Sequence, residues 1–534
     1  MKERITFLYE AEGQFNPEQI TVNNDSISVR SLHGPREDRT TFSFNELPQE
    51  LWQVLKRCHE LHIRWASDHV YDALPPFTSR VSPGLHVFYS PISQELPSSL
   101  LCPLLRKMFD DGLECELPET SFIPPPVLAV RSSSTPSLQF HQLLPSLSEL
   151  VTFIQQKLCP AYGDRNTDAY ANCQSHASSL LSVDSLDIDY QSSTHSFSVA
   201  AYWSKPSQKG GWSETIHKLK KSTDRVEIGI LAMEDPREPH ELSMGGFLAV
   251  VGEDTKLSPT LFSYPSRHHP LPLSSKYTIT FPKPTGLHPT LHLSLPRSSL
   301  TSLPERLPPS VECSLYTYLT LPSPLFADKY QLSTKDPLFL HSHNLLSLHA
   351  IAGETDLEAP DWLTKRWGSS VLLELATPKG NDKANTNDKD TWQISIPLHL
   401  RYLPTSPGGY RNISMPWPVV FWACANEGMK MGRNPFDRVR LGWDDLFAPN
   451  TLYYHFHPDP SAQGSGAGGG AGSMVEKITV PVLKIRGAWD VWGIEIGTMV
   501  VVFLGFLWVV GKLRAVAWGR GRERGLRGGR EKRE

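Results

Sequence analysis

The sequence predicts a mainly β protein: an antiparallel, sandwich-like β domain, preceded by a mixed α+β N-terminal region and followed by one C-terminal transmembrane helix. Three observations carry this. From about residue 180, apolar runs of 6 to 11 residues recur between Pro, Gly and Asp loops, the pattern of antiparallel β domains. The 45 prolines in 534 residues punctuate the chain too often for long helices. Finally, "VWGIEIGTMVVVFLGFLWVV", residues 491–510, makes about 30 Å of helix, the depth of a bilayer core.

Residues 1–180 read as the mixed region. "QITVNNDSISV" (19–29) is a hairpin with Asn24 in its turn. "PQELWQVLKRCHEL" (48–61) has helical spacing through Leu51, Leu55 and Cys58. A second helix, "PSLSELVTFIQQKL" (145–158), sets Leu147, Leu150, Val151, Ile154 and Leu158 on one face, and "SSSTPS" (132–137) is a linker or loop. Residues 181–275 form a β-rich extension with strands in "FSVAAYW", "VEIGILAM" and "GGFLAVVG". Residues 276–490 form the β domain proper, through "KYTITF", "TLHLSL", "CSLYTYLTL", "VLLELA", "WQISIPLHLRY" and "VVFWACA". The polar stretch 378–390 is a loop between two strands. "SAQGSGAGGGAGS" (461–473) is a flexible loop inside a last hairpin made by "TLYYHF" and "ITVPVLKI".

The transmembrane helix is assigned to 491–511, with Trp489 and Trp492 at one interface and Trp508 and Trp518 near the other. The tail, 512–534, holds nine Lys/Arg and three Glu, a charge of +6; the other residues hold 43 Lys/Arg and 53 Asp/Glu, a charge of −10. The positive-inside rule places such a tail in the cytosol and residues 1–490 in the lumen. Two sequons agree, at Asn24 and Asn412. The start of the chain carries no apolar stretch long enough for a signal-peptide core. A mildly acidic body with a basic tail argues against nucleic acid as a partner, and for membrane lipid. Within the helix, Gly493 and Gly497 form a G-x-x-x-G that admits a close neighbour, and Glu495 lies at headgroup depth or faces a polar partner helix.

No chemistry-bearing motif stands out. Asp187 and Asp189 in "DSLDIDY" have the D-x-D spacing of many glycosyltransferases, but strand alternation makes a solvated face the expected reading. The pairs His341/His343 and His455/His457, each two residues apart as if on one strand face, and His268/His269 beside a proline turn, read as surface or loop residues. There is no G-x-S-x-G, phosphate-cradling glycine loop, H-E-x-x-H or CxxC, so no catalytic residue, metal site or cofactor is assigned. The seven cysteines are too sparse for a disulfide scaffold.

In order along the chain, "GLHPTLHLSL" (286–295), "CSLYTYLTLPSPLFADKYQL" (313–332), "PLHLRYLP" (397–404) and "MPWPVVFWAC" (415–424), closed by one membrane helix, resemble the PIG-X family in its longer fungal form. The resemblance spans about 280–511, and it makes 181–275 the fungal-type extension. It implies a lumenal β domain on one helix in the endoplasmic reticulum. The partner it implies is the multi-spanning catalytic subunit of glycosylphosphatidylinositol (GPI) mannosyltransferase I, which adds the first mannose to the GPI precursor. The subunit itself is then a non-catalytic stabiliser, and Asp187→Ala with Asp189→Ala is expected to be nearly harmless. The alternatives are a membrane-anchored lumenal glycosidase or glycosyltransferase using unmarked carboxylates, and a lectin-like quality-control module. Cys313 and Cys424, the two cysteines inside the region of resemblance, are expected to pair as a disulfide. Pro416 and Pro418 are expected to flank a strand that starts at a sheet edge, with "VVFWACA" apolar on both faces as a core strand.

Overall fold

The structure is a computed structural model and describes residues 1–9, 16–92, 99–124, 137–161, 166–207, 209–219, 223–238, 240–283, 285–301, 307, 311–354, 356, 359–378, 390–425, 434, 437–462 and 472–530. The loops expected at 132–137, 378–390 and 461–473 fall mainly outside these residues.

Strand alternation builds a ten-stranded sheet from the first half of the chain. Its spatial order is Ser258–Pro265, Glu241–Val250, Arg225–Glu234, Lys2–Leu8, Arg36–Phe42, Ser196–Trp203, Ser185–Gln191, Cys58–Ala66, Gly84–Pro91 and Leu138–Gln142. Neighbours are antiparallel except Lys2–Leu8, which lies parallel to Arg225–Glu234. The first strand of the chain is thus inserted beside one that forms more than 200 residues later, and the boundary expected at 180/181 falls inside this sheet.

One face of the sheet is apolar. Leu61, Ile63, Trp65, Val87, Phe140, Leu186 and Ile188 pack with Leu51 and Leu55, Leu101 and Leu105, and Leu150, which come from the short helices Gln49–Leu55, Leu101–Phe109 and Ser148–Phe153. Further along the same sheet, Ile5, Phe7, Ile228 and Ile230 pack on Ile27 and Val29 of a three-stranded sheet. The expected hairpin is its Ile20–Val22 and Ser26–Leu32 pair, and Asn24 is exposed in the turn. The helix expected over 48–61 stops at Leu55, because Cys58 begins the strand Cys58–Ala66. There the period changes from helical to alternating, so that Leu61, Ile63 and Trp65 share one face. The helix expected over 145–158 is regular over Ser148–Phe153 and continues as a wider turn to Leu158.

The second half supplies a six-stranded sheet, ordered His268–Pro270, Thr451–His455, Val419–Ala425, Glu312–Pro322, Gly368–Leu375 and Leu345–Gly353. A four-stranded sheet is ordered Thr391–Pro397, Thr290–Pro296, Lys276–Thr280 and His457–Pro458. Val419–Ala425 is central and buried on both faces through Cys424, as its unbroken apolar run requires. The two prolines do not mark a sheet edge. They sit where the chain passes from Tyr410–Pro416 into this central strand, and the Pro418 carbonyl accepts a hydrogen bond of 2.5 Å from the Tyr277 hydroxyl. The expected last hairpin does not form: Thr451–His455 joins the six-stranded sheet, whereas Val475–Pro481 pairs with Tyr410–Pro416. Tyr318 ties the six-stranded sheet to the ten-stranded one, through a 3.1 Å hydrogen bond from the Gln139 amide to its hydroxyl.

A second compact unit comprises Leu403–Asn412 and Thr479–Glu534. Ser406 bridges Lys484 within it, and the helix Ala488–Arg530 follows. Its apolar part, Trp489–Val516, has a mean hydropathy of 2.2 and is the one helix among the described residues long and apolar enough to cross a membrane.

Cys313 and Cys424 face each other across Glu312–Pro322 and Val419–Ala425 and are bonded, with Cα atoms 4.1 Å apart. Two further disulfides, Cys102–Cys115 and Cys159–Cys173, were not expected from cysteine number. Each closes a short loop over helices too small to hold themselves. Cys58 is buried and free, and burial pushes its thiol up to about 12. Non-reducing peptide mapping is therefore expected to find these three linkages. Iodoacetamide at mildly alkaline pH should modify Cys58 only after denaturation; rapid labelling of the folded chain would contradict the buried placement.

Candidate functional site

The opposite face of the ten-stranded sheet is charged and yet buried or half-buried. Alternation along Cys58–Ala66 turns Glu60, His62 and Arg64 away from the helices, and along Ser185–Gln191 it does the same for Asp187 and Asp189. Register sets Arg64 opposite Asp187 and His62 opposite Asp189. Arg64 Nη2 lies 2.7 Å from Asp189 Oδ1, and Nη1 lies 3.2 Å from Asp187 Oδ1. His62 Nδ1 is also 2.7 Å from Asp189 Oδ1.

The segment Asp437–Asp445, "DRVRLGWDD", lies against this face. Arg438 Nε is 3.1 Å from Asp187 Oδ2, and its Nη2 is 3.2 Å from Glu37 Oε1 and donates to the Phe77 carbonyl at 2.6 Å. Arg440 pairs with Glu60 at 2.8 Å and with Asp445. Arg64 returns a hydrogen bond of 2.8 Å to the Val439 carbonyl. The segment is held in shape from within: Asp444, 1% exposed, accepts the backbone N–H groups of Arg440 and Leu441. Gly442 has φ +93°, and a Cβ there would lie 2.6 Å from the Tyr318 hydroxyl oxygen, so glycine is required. Trp443 is fully buried against Phe421, ring centroids 4.5 Å apart, and Tyr453, 4.8 Å apart.

The charges set one another's protonation. Burial disfavours a charged His62, but Asp189 and Glu60 outweigh it and hold the ring above its ordinary value. Burial likewise opposes ionised Asp189, but Arg64 and His62 hold it well below the usual carboxylate range. The nearby His62, 3.8 Å away, and the charge of Arg440 bring Glu60 to about 2, against burial. Arg438 is lowered, by burial first and then by the charge of Arg39.

The expected solvated face is therefore corrected: Asp187 is buried and Asp189 half-buried, and both are counter-ions in the lattice. Their D-x-D spacing arises because one strand faces an alternating cationic strand. Sequence reading missed Arg64, Arg438 and Arg440. The available signal was the alternation "ELHIRW", whose polar positions repeat as strictly as its apolar ones.

The histidines divide. His341 and His343 lie on the helix Pro337–His343 instead of a strand; there a spacing of two turns the side chains about 200° apart. His268, His269 and His455, expected at the surface, are buried, because His268–Pro270 runs parallel to Thr451–His455 inside the protein. Among the described residues no three His, Cys, Asp or Glu side chains converge to hold a metal ion. Asn412 is exposed, and its Oδ1 accepts a hydrogen bond of 2.9 Å from the Thr479 hydroxyl. In the membrane helix, Gly493 and Gly497 stand about 40° apart, whereas Glu495 is roughly 160–200° from both. The three residues cannot share one contact face.

These features define a class: a mainly β protein with one membrane-spanning candidate among the described residues and an acidic motif held in ion pairs. The PIG-X / PBN1 family model matches residues 284–514. Over nearly its whole length the chain is similar to the proteins called pbn1 of three fungi. It is 52% identical to that of Emericella nidulans over 527 residues, covering 97% of this chain and 96% of the relative. It is 50% identical to that of Aspergillus oryzae, covering 98% and 97%, and 49% identical to that of Aspergillus fumigatus, covering 99% and 98%. The chain belongs to the PIG-X/PBN1 family. That identity supports a role in GPI-anchor biosynthesis, and the one membrane-spanning candidate fits a single-pass protein.

Removing one side of a buried ion pair leaves the other uncompensated, at about 3–5 kcal/mol. Asp187→Ala with Asp189→Ala, which strands Arg64 and leaves Arg438 only Glu37 as an acid, is therefore expected to lose stability on that scale instead of being harmless. Chemical denaturation reads this, and an unchanged midpoint would contradict the lattice.

Acid should destabilise the fold. Burial holds His86 and His269 at about 4 and His268 at about 3, and keeps His141 and His455 well below the ordinary value. The unfolded chain takes up protons at these rings below about 6.5 and the folded chain does not, so their contribution is whole above that pH and is lost as pH falls toward 4. His62, with a raised value, has the opposite sign, and one such group offsets five only in part. Melting temperatures measured from pH 7.5 to 5 are expected to fall steadily; a flat or rising profile would count against neutral buried rings.

Proposed function

We propose that this chain is the non-catalytic, stabilising subunit of GPI mannosyltransferase I, required when the first mannose is added to the GPI precursor. Its body lies in the lumen of the endoplasmic reticulum and its basic tail in the cytosol, and it acts through the multi-spanning catalytic subunit. The observation that carries this reading is the fate of Asp187 and Asp189. In a member of this family, the glycosyltransferase-like acidic pair Asp187/Asp189 is consumed by Arg64, Arg438 and His62. A carboxylate so paired is neither free to hold a nucleotide-sugar metal nor able to act as a base. The exposed turn around Asn24 supports a lumenal body, and the charge of the tail supports the orientation.

Depleting the protein in cells and measuring catalyst abundance together with mannosyl transfer tests the reading. Abundance is expected to fall, GPI intermediates to stall before the first mannose, and transfer per remaining catalyst molecule to stay unchanged. Two arms add detail: Gly493→Leu with Gly497→Leu is expected to weaken partner recovery more than Glu495→Leu, and glycosidase treatment is expected to shift the mobility of the chain through the Asn24 glycan. Normal catalyst abundance with failed transfer would overturn the proposal.

A further inference from the structure

A cleft lies between the segment Ala73–Arg80 and the parallel pair His268–Pro270 and Thr451–His455, and it is distinct from the ion lattice. Its open space is about 310 Å³. Arg80 lines it and is only 5% exposed, yet Nη1 has no hydrogen-bond partner, and no carboxylate lines the cleft. The contact made by this guanidinium is with the ring face of Tyr71, at 5.1 Å. A guanidinium does not shed its proton, so burial without a counter-charge is unfavourable. Every other buried arginine in the lattice nearby has an acid within reach, which sets Arg80 apart.

The histidines around it narrow the chemistry. His268 and His457 each give the Nε2 hydrogen to a carbonyl, that of Arg438 at 3.1 Å and that of Leu271 at 3.0 Å. His455, stacked on His268 with centroids 5.8 Å apart, has a partner on neither ring nitrogen. A neutral imidazole carries one N–H whichever tautomer forms, so the cleft presents two unspent donors, Arg80 Nη1 and a His455 N–H, and one uncompensated positive charge.

We propose that this cleft binds a small monovalent inorganic anion of halide size, which accepts from Arg80 and His455 and supplies the missing negative charge. Two N–H donors and a single positive charge suit a monovalent spherical acceptor better than a multiply charged oxyanion. The site locks the Ala73–Arg80 segment onto the second-half strands, so the anion acts on the stability of the folded body. This inference stands apart from the proposed role in mannosyl transfer.

The test uses the full chain in mild detergent, at constant ionic strength, with chloride replacing gluconate. Chloride and bromide are expected to raise the melting temperature saturably, by about 2–4 °C. Sulfate and phosphate are expected to do no more than gluconate. In Arg80→Met the halide response should vanish, while the melting temperature in gluconate stays at or above that of the parent. No halide response in the parent, a persisting response in the variant, or a larger response to phosphate would each overturn the proposal. Should Arg80→Met fail to fold, chloride-35 line broadening on the parent decides: saturable excess broadening, displaced by bromide, supports the site, and its absence rejects it.

Discussion

The structure depends on one constraint: the polar face of a large β-sheet is largely covered by protein, and its charges must be neutralised where little water reaches them. Glu60, His62, Arg64, Asp187 and Asp189 share that face by strand alternation, and their cross-strand register already pairs some of them. It does not pair all. Asp187, Glu37 and Glu60 keep acceptor capacity that Arg438 and Arg440 complete from a segment more than 200 residues away in sequence. Burying any of these ions alone would cost several kcal/mol. The lattice therefore favours one docking of Asp437–Asp445 over its alternatives more than it adds net stability.

That segment serves two cores at once. Its arginines face the ten-stranded sheet, while Trp443 packs with Phe421 and Tyr453 of the six-stranded sheet. Arg440 adopts φ +60°, a conformation that disfavours any residue with a Cβ, and Gly442 adopts φ +93°. Both positions are imposed by partners on either side, Glu60 for the first and Tyr318 for the second. The part of the chain matched by the family model, 284–514, contributes this segment, and the sheet carboxylates it pairs with, Glu37, Glu60 and Asp187, precede residue 284. The N-terminal half is in this sense the counter-charge of the family domain, which accords with relatives that align over nearly the whole chain.

The second unit follows different physics. The apolar part of its helix, Trp489–Val516, has no buried residue, and Met499, Val501 and Phe503 are largely exposed, as befits a lipid-facing surface. Helical period separates Gly493 and Gly497 from Glu495, so a neighbour that approaches closely on the glycine side leaves the carboxylate on the far side.

Elements set by local rules were legible in the sequence. The strands from Ser196–Trp203 to Val419–Ala425 follow from apolar runs and proline punctuation, the hairpin at Asn24 from its turn residues, and the membrane helix from length and hydropathy. The failures share a cause. The helix over 48–61 was cut short because Cys58 was claimed by a sheet, and the last hairpin dissolved because its two strands found partners in different sheets. Asp187 and Asp189 looked solvated because a polar strand face has the same period whether water or arginine covers it. His268, His269 and His455 looked superficial because burial of a neutral ring depends on which strand lies alongside. The sequence by itself determined which residues share a face, since that follows from backbone period alone. Only the tertiary structure decided what covers each face, because that choice belongs to segments hundreds of residues apart and to the energy of removing water from between them.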